Sequence, residues 1–139
     1  FIDDYAHHPA ELEALIRGAK SLFSFKKCTV IFQPHLFSRT KDLAKEFAKS
    51  LDIADRVLLL PIYPARELPI EGVTSELILK GMENKNATVI SKEGLLEYIG
   101  GDYLKLVHES SFGEVLITAG AGDIDKLVEP IKEILLNTI

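Results

Sequence analysis

Residues 3–9 read DDYAHHP, setting Asp3, Asp4, Tyr5, His7 and His8 between an apolar pair, Phe1-Ile2, and a segment that begins like a helix. Three kinds of chemistry suit such a crowd. Carboxylates and imidazoles are metal ligands, but His7 and His8 are adjacent, so at most one shares a site with Asp4, and the spacing fits no standard zinc pattern. No metal is expected here. A plainer reading is a helix N-terminus with a capping acid and solvated histidines. The third is a ligand grip. A carboxylate at a strand end accepts hydrogen bonds from two ribose hydroxyls, and a histidine opening the next helix donates to phosphate oxygen, helped by the helix dipole.

Two further stretches carry comparable potential. QPHLFSRT (33–40) places His35, Ser38 and Arg39 between an apolar run and a helical pattern. A lone arginine is ordinarily a solvated charge, but beside backbone N–H groups its planar fork suits a carboxylate or phosphate. TAGAGD (118–123) offers Gly120, Ala121 and Gly122, small residues that let a ligand approach the backbone. It is not a dinucleotide fingerprint, because GxGxxG counted from Gly120 requires glycine at 125, where the chain has Asp125. No GxxxxGK(S/T) occurs either, so a triphosphate cradle of that type has to come from another domain.

These stretches need a scaffold that brings them together, and the chain alternates short apolar runs with helical periods. Pro9 suits a first helical position, after which Leu12, Leu15, Ile16, Ala19, Leu22 and Phe23 share one face. CTVIF (28–32) reads as a strand buried on both faces. A helix capped by Thr40 follows, with Leu43, Ala44, Phe47, Ala48 and Leu51 at helical spacing. RVLLLPI (56–62) is a strand, and YPARELPIEGVT (63–74) a long proline-rich loop of the kind that carries function or mobility. SELILKGM (75–82) is a short helix capped by Thr74 or Ser75, ATVI (87–90) a strand, and KEGLLEYI (92–99) a helix. YLKLVHE (103–109) fits either state. EVLITAG (114–120) is a strong strand, and the last helix fills 123–137, where Pro130 is expected to break or kink it.

This alternation predicts an α/β fold: a single Rossmann-like domain, its sheet mostly parallel, with helices on both faces. Ligands of such sheets sit beyond the carboxyl ends of the strands. DDYAHHP, QPHLFSRT and TAGAGD all follow apolar runs, so they should converge on one edge.

The totals exclude other classes. With 139 residues, 47% hydrophobic and 27% charged, the chain is one ordinary globular domain. A formal charge of −5 argues against nucleic acid or a membrane surface as the main partner. No apolar run is long enough for a membrane span, and no signal peptide opens the chain. The single cysteine, Cys28, lies within the apolar run and reads as a buried, inert thiol. A cytoplasmic location is expected.

In order and spacing, DDYAHHPAE, FQPHLFSRT, YPARELPIEGVTSELI and ITAGAGDI resemble the C-terminal domain of the Mur ligases over essentially all of residues 1–139. The resemblance implies a cytoplasmic ligase of peptidoglycan synthesis. ATP would phosphorylate the carboxylate of UDP-N-acetylmuramate, and an amino-acid amine would attack the acyl phosphate, with Mg²⁺ screening the charges. An N-terminal domain would hold the UDP sugar and a central P-loop domain most of the ATP and Mg²⁺, neither lying within these residues. The C-terminal domain would cover ATP and present the amino acid. The FQPH…SRT and YPAxExPIxGV loops point to the member that adds L-alanine; the alternative is the recycling ligase that attaches a murein peptide to the same sugar nucleotide.

Carried over residue by residue, the resemblance places Asp4 at the ATP ribose, Tyr5 in the nucleotide pocket, and His7 at the phosphates or reacting centre as the catalytic candidate. His35 and Arg39 would bind the reacting substrates, Arg39 the alanine carboxylate, and Gly120, Ala121 and Gly122 would wall the amino-acid end of the cleft. One position departs from the pattern: Leu36 stands where family members often carry a second arginine. Two readings of other classes are a non-catalytic nucleotide-binding module and a metal-dependent hydrolase using the Asp/His cluster. Lacking a P-loop, the isolated chain is expected to fold but not to make amide bonds.

Overall fold

The computed structural model describes residues 1–137. One sheet contains β1 (Ile2–Asp4), β2 (Lys27–Phe32), β3 (Arg56–Leu59), β4 (Ala87–Val89) and β5 (Glu114–Ala119), in the order β1-β5-β2-β3-β4 and wholly parallel. Alternate residues of a strand face opposite sides, so the continuous apolar run of β2 feeds two cores. Cys28, Val30 and Phe32 pack with Leu12, Ile16, Phe47, Leu51 and Ile78 from α1 (Pro9–Leu22), α2 (Phe37–Leu51) and α3 (Glu76–Gly81). Ile31, Leu58 and Leu116 pack on the other side with Leu95, Tyr103 and Ile131 from α4 (Lys92–Tyr98), the π-helical turn Ile99–Tyr103 and α6 (Val128–Leu136). Helices therefore cover both faces. The three connections leading forward from β1, β2 and β3 lie on one side, and the return to β5 lies on the other.

The site edge follows from the register. Asp4 pairs with Ala119, and Ala119 with Phe32, so the chain leaves three adjacent strands at one level. Outgoing segments on the two sides of β5 turn to the opposite face from its own, which opens a crevice at the strand ends.

Several boundaries differ from the sequence reading. Strand β3 stops at Leu59, before Pro61. Helix α2 begins at Phe37, so Thr40 is a fully buried first-turn residue whose hydroxyl donates to the Leu36 carbonyl (2.8 Å), not the cap. Leu36 takes the cap position with φ +72°, a backbone state that periodicity cannot reveal. Arg39 consequently sits inside the first turn. Leu22, placed on the core face by its spacing, is 75% exposed, while Phe23, placed on the same face, does pack against that core. The ambiguous 103–109 segment is helical, its α5 (Leu104–Glu109) continuing from the π turn. Pro130 breaks nothing. A 3₁₀ turn (Asp123–Leu127) precedes α6, which puts Pro130 in the first helical turn, where a backbone N–H has no partner within the helix.

Across the opposite end of the sheet, Arg56 of β3 donates to Glu114 of β5 (2.6 Å) and to the Thr29 hydroxyl of β2 (3.1 Å). The Glu114 side chain is only 3% exposed. Arg56→Ala leaves that carboxylate buried and unpaired, so the unfolding free energy should fall toward the lower end of the roughly 3–5 kcal/mol seen for broken buried pairs, read as a lower urea midpoint.

Candidate functional site

At the strand ends, Asp4 and Tyr5 face Gly120, Ala121 and Gly122 across a hollow of about 150 Å³. Asp4 Oδ1 accepts from the Ala6 amide (2.8 Å), while its other oxygen has no hydrogen-bond partner among the described residues. Tyr5 is 70% exposed. Opposite them the backbone comes very close. Gly120, at φ +148°, donates its N–H to the Asp4 carbonyl (3.3 Å), and a Cβ there would lie 3.0 Å from the Gln33 carbonyl. A Cβ on Gly122 would meet Gln33 Oε1 and the Tyr63 ring root at 2.6 Å. Both glycines are required by proximity.

A row of rings joins the hollow to the loop after β2. Tyr5 meets His7 edge-on with centroids 5.2 Å apart, His7 meets His35 at 6.3 Å, and His35 stacks on Tyr63 at 5.7 Å. Hydrogen bonding sets the two imidazoles oppositely. His7 Nδ1 lies 3.0 Å from the Tyr5 carbonyl, which can only accept, so Nδ1 carries the proton and Nε2 of the neutral ring is bare. Arg39 Nη1 donates to His35 Nδ1 (3.4 Å); a guanidinium cannot accept, so here Nδ1 is bare and Nε2–H is the donor. Burial, then the charges of Arg39 and His7, push the His35 pKa below its ordinary value, with Glu67 opposing. Arg39 has no carboxylate partner among the described residues. Glu11 accepts from the amides of His7 (3.2 Å) and His8 (3.1 Å), bonds that hold its carboxyl below the usual range.

The spacing of the two sides is kept by residues to which the sequence assigned no role. Gln33 is 2% exposed; its amide donates to Asp123 (2.7 Å) and accepts from the Ile124 N–H (2.9 Å). Lys92 donates to the other Asp123 oxygen. Burial works to raise the Asp123 pKa, but hydrogen bonds from Lys92 and Gln33 prevail and lower it. Tyr63 exchanges backbone bonds with the His35 segment, donating to the Pro34 carbonyl and accepting from Leu36 N–H, both at 2.8 Å. Gln33 stood within a stretch already marked as rich in chemistry and Tyr63 within the proline-rich loop, but nothing local pointed to their partners.

All eight residues singled out for a ligand, Asp4, Tyr5, His7, His35, Arg39, Gly120, Ala121 and Gly122, thus lie along one edge. Asp3 also borders the hollow, whereas His8 does not join them. Asp3 accepts from the Thr118 hydroxyl (2.7 Å), and His8 lines a separate groove between α1 and α2. Among the described residues no three His, Cys, Asp or Glu side chains gather into a group that could hold a metal ion. Nor is any described helix long and apolar enough to cross a membrane.

A family model of the Mur ligase glutamate ligase domain matches residues 1–122, which include all eight of the residues singled out above. The chain belongs to the Mur ligase family. Among curated Mur ligases, the UDP-N-acetylmuramate–L-alanine ligase of Cytophaga hutchinsonii is 52% identical over 95% of the chain. The chain spans about a quarter of that relative's length (26%). Among solved structures, the UDP-N-acetylmuramate–alanine ligase of Thermotoga maritima aligns over 96% of this chain and 25% of its own, with 28% identity and a TM-score of 0.61. A murein peptide ligase from Psychrobacter arcticus aligns over 94% of this chain and 26% of its own with a TM-score of 0.69; at 17% identity it shows only that the Mur ligase fold is shared.

Two outcomes test this geometry. Gly122→Ala should force Tyr63 or the tethered Gln33 amide aside and destabilise the chain by about 1–3 kcal/mol, measured by urea unfolding. For His35, the native state favours the neutral ring. Its contribution to stability is therefore complete above the ordinary value of 6.5 and lost as pH falls through the lower native value. The advantage of the parent over His35→Gln in unfolding free energy should shrink as pH is lowered from 7 through that window, as read from denaturation curves at each pH.

Proposed function

We propose that this chain is the amino-acid-presenting, ATP-covering C-terminal domain of a cytoplasmic ligase that joins L-alanine to the carboxylate of UDP-N-acetylmuramate in peptidoglycan synthesis. The observation that carries the reading is Arg39, a guanidinium in the first turn of α2 with no carboxylate partner among the described residues, bonded to His35 in a ring row that begins beside the Asp4 hollow. The names of the relatives above support the same choice of substrates. On this reading, a UDP-binding domain and a P-loop domain of the same polypeptide hold the sugar nucleotide, the triphosphate and Mg²⁺.

The hollow suits a nucleoside. Asp4 keeps one carboxylate oxygen for ribose hydroxyls, the exposed Tyr5 ring offers a stacking face, and the Gly120–Gly122 backbone leaves room. When bound, ATP supplies the phosphoryl group that converts an unreactive carboxylate into an acyl donor. The chain's own groups do the rest. His7, with Nδ1 committed to the Tyr5 carbonyl, can hold or pass a proton only at Nε2. His35 offers Nε2–H as a donor, and its depressed pKa keeps it neutral beside Arg39. Arg39 stays charged at any working pH and grips the amino-acid carboxylate through two parallel hydrogen bonds.

In the intact ligase, Arg39→Lys keeps the charge but loses the fork. It should raise KM for L-alanine about tenfold or more, corresponding to ~1.4 kcal/mol or above. Alaninamide, which lacks the carboxylate, should barely distinguish the variant from the parent. Asp4→Ala should instead raise KM for ATP. An equal loss with alanine and alaninamide would show that Arg39 serves something other than a carboxylate, and efficient turnover of a murein peptide in place of alanine would favour the recycling reaction.

A further inference from the structure

The first turn of α2 carries Arg39, but nothing within its own sequence caps it. Leu36, at the cap position, has no side-chain acceptor and a strained φ of +72°. The missing acceptor comes from the proline-rich loop. Glu67, 29 residues further on, accepts from the Ser38 backbone N–H (3.0 Å) with one oxygen and from the Ser38 hydroxyl with the other. The loop bends back to do so: Ala65 has φ +54°, and the Glu67 N–H donates to the Pro64 carbonyl (2.9 Å). The same loop begins with Tyr63, already bonded to Pro34 and Leu36 and stacked on His35. Loop 63–74 thus grips the His35–Arg39 segment at two points, one through backbone and one through a carboxylate. Glu67 has no cationic partner among the described residues, and the Ser38 hydroxyl and amide hold its carboxyl below the usual range, so it is ionised at neutral pH. Its two oxygens lie on the residue next to Arg39.

We propose that Glu67 is a positioning residue for amino-acid recognition: its carboxylate clamps the first turn of α2 through Ser38 and thereby fixes Arg39 and His35 in the geometry that receives the incoming carboxylate. Glu67 itself does not touch the ligand. This rests on the reading of Arg39 given above. A mere stability cap would lower the melting temperature without separating one substrate from another, whereas a clamp on Arg39 acts on the amino acid alone. The two hydrogen bonds are shared with a single partner, so removing Ser38 and Glu67 together should do no more than removing Glu67.

The test has two arms. In the intact ligase, Glu67→Ala should raise KM for L-alanine about tenfold while leaving KM for ATP within about twofold. Glu67→Gln, which still accepts from the Ser38 N–H, should recover most of the loss, and Ser38→Ala/Glu67→Ala should match Glu67→Ala. Parallel rises for both substrates, or a lower melting temperature with unchanged KM values, overturn the proposal. In the second arm, ¹⁵N-edited NMR of the 139-residue chain follows the His35 imidazole. Glu67→Ala should shift its ring nitrogens as the Arg39 contact to Nδ1 is lost, with Glu67→Gln closer to the parent; coincident spectra overturn the clamp. Arg39→Lys, run alongside, separates the two ideas. If it leaves KM for alanine unchanged, the assignment of Arg39 fails and the clamp is judged by the His35 spectra alone.

Discussion

The amide of Gln33 sets the spacing on which the site edge depends. It is buried, so its donor and its acceptor both need partners, and both are found across the crevice in the turn after β5, at Asp123 and Ile124. That demand holds the segment leaving β2 against the segment leaving β5. It also dictates the residues around it. The close approach admits no side chain at Gly120, whose Cβ would press on the Gln33 carbonyl, or at Gly122, whose Cβ would press on the amide oxygen. The acid drawn in as a partner needs a cation, which Lys92 supplies from the first turn of α4. A parallel sheet alone brings the three loops to one edge; the amide fixes how far apart they stand.

On that edge two histidines of similar surroundings are given different proton arrangements by one hydrogen bond each. A carbonyl fixes the proton of His7 on Nδ1, and a guanidinium keeps it off Nδ1 in His35. One ring therefore presents a lone pair at Nε2 and the other presents a donor there, within a single row of aromatic contacts. Binding groups placed on a fixed sheet are tuned through its loops rather than through the sheet itself. The loop 63–74 reaches both His35 and the start of α2.

Most of the architecture was legible because it is written in local periodicity. The buried run 28–32, the strand 114–119 and the faces of α1 and α2 follow from which residues alternate and which recur every third or fourth place. Convergence of the three loops followed from strand polarity. What the sequence hid depends on contacts far along the chain. Thr40 looked like the helix cap because Leu36 in a left-handed conformation leaves no local trace, and the acceptor that makes it tolerable is Glu67. Gln33 and Asp123 are 90 residues apart, and their bond is visible only once β2 and β5 are neighbours. Pro130 was misjudged for the opposite reason: its local effect is real, but a 3₁₀ turn shifts the helix start until the effect vanishes.

The insertion of β5 between β1 and β2 has a temporal side. Strand β1 pairs with residues 117–119 of β5, whereas β2, β3 and β4 pair in sequence order with one another. A chain emerging from the ribosome can therefore zip β2, β3 and β4 together with α2 and α3 as each is made, since their contacts span short lengths of chain. The first strand has to wait. Until β5 is released, Ile2–Asp4 has no place in the sheet, and closing that long loop carries the largest entropic penalty in the fold. Residues 2–4 of this domain are among the last of its strands to find their positions, so an incompletely synthesised or clipped domain can be largely structured and yet lack the hollow between Asp4 and Gly122.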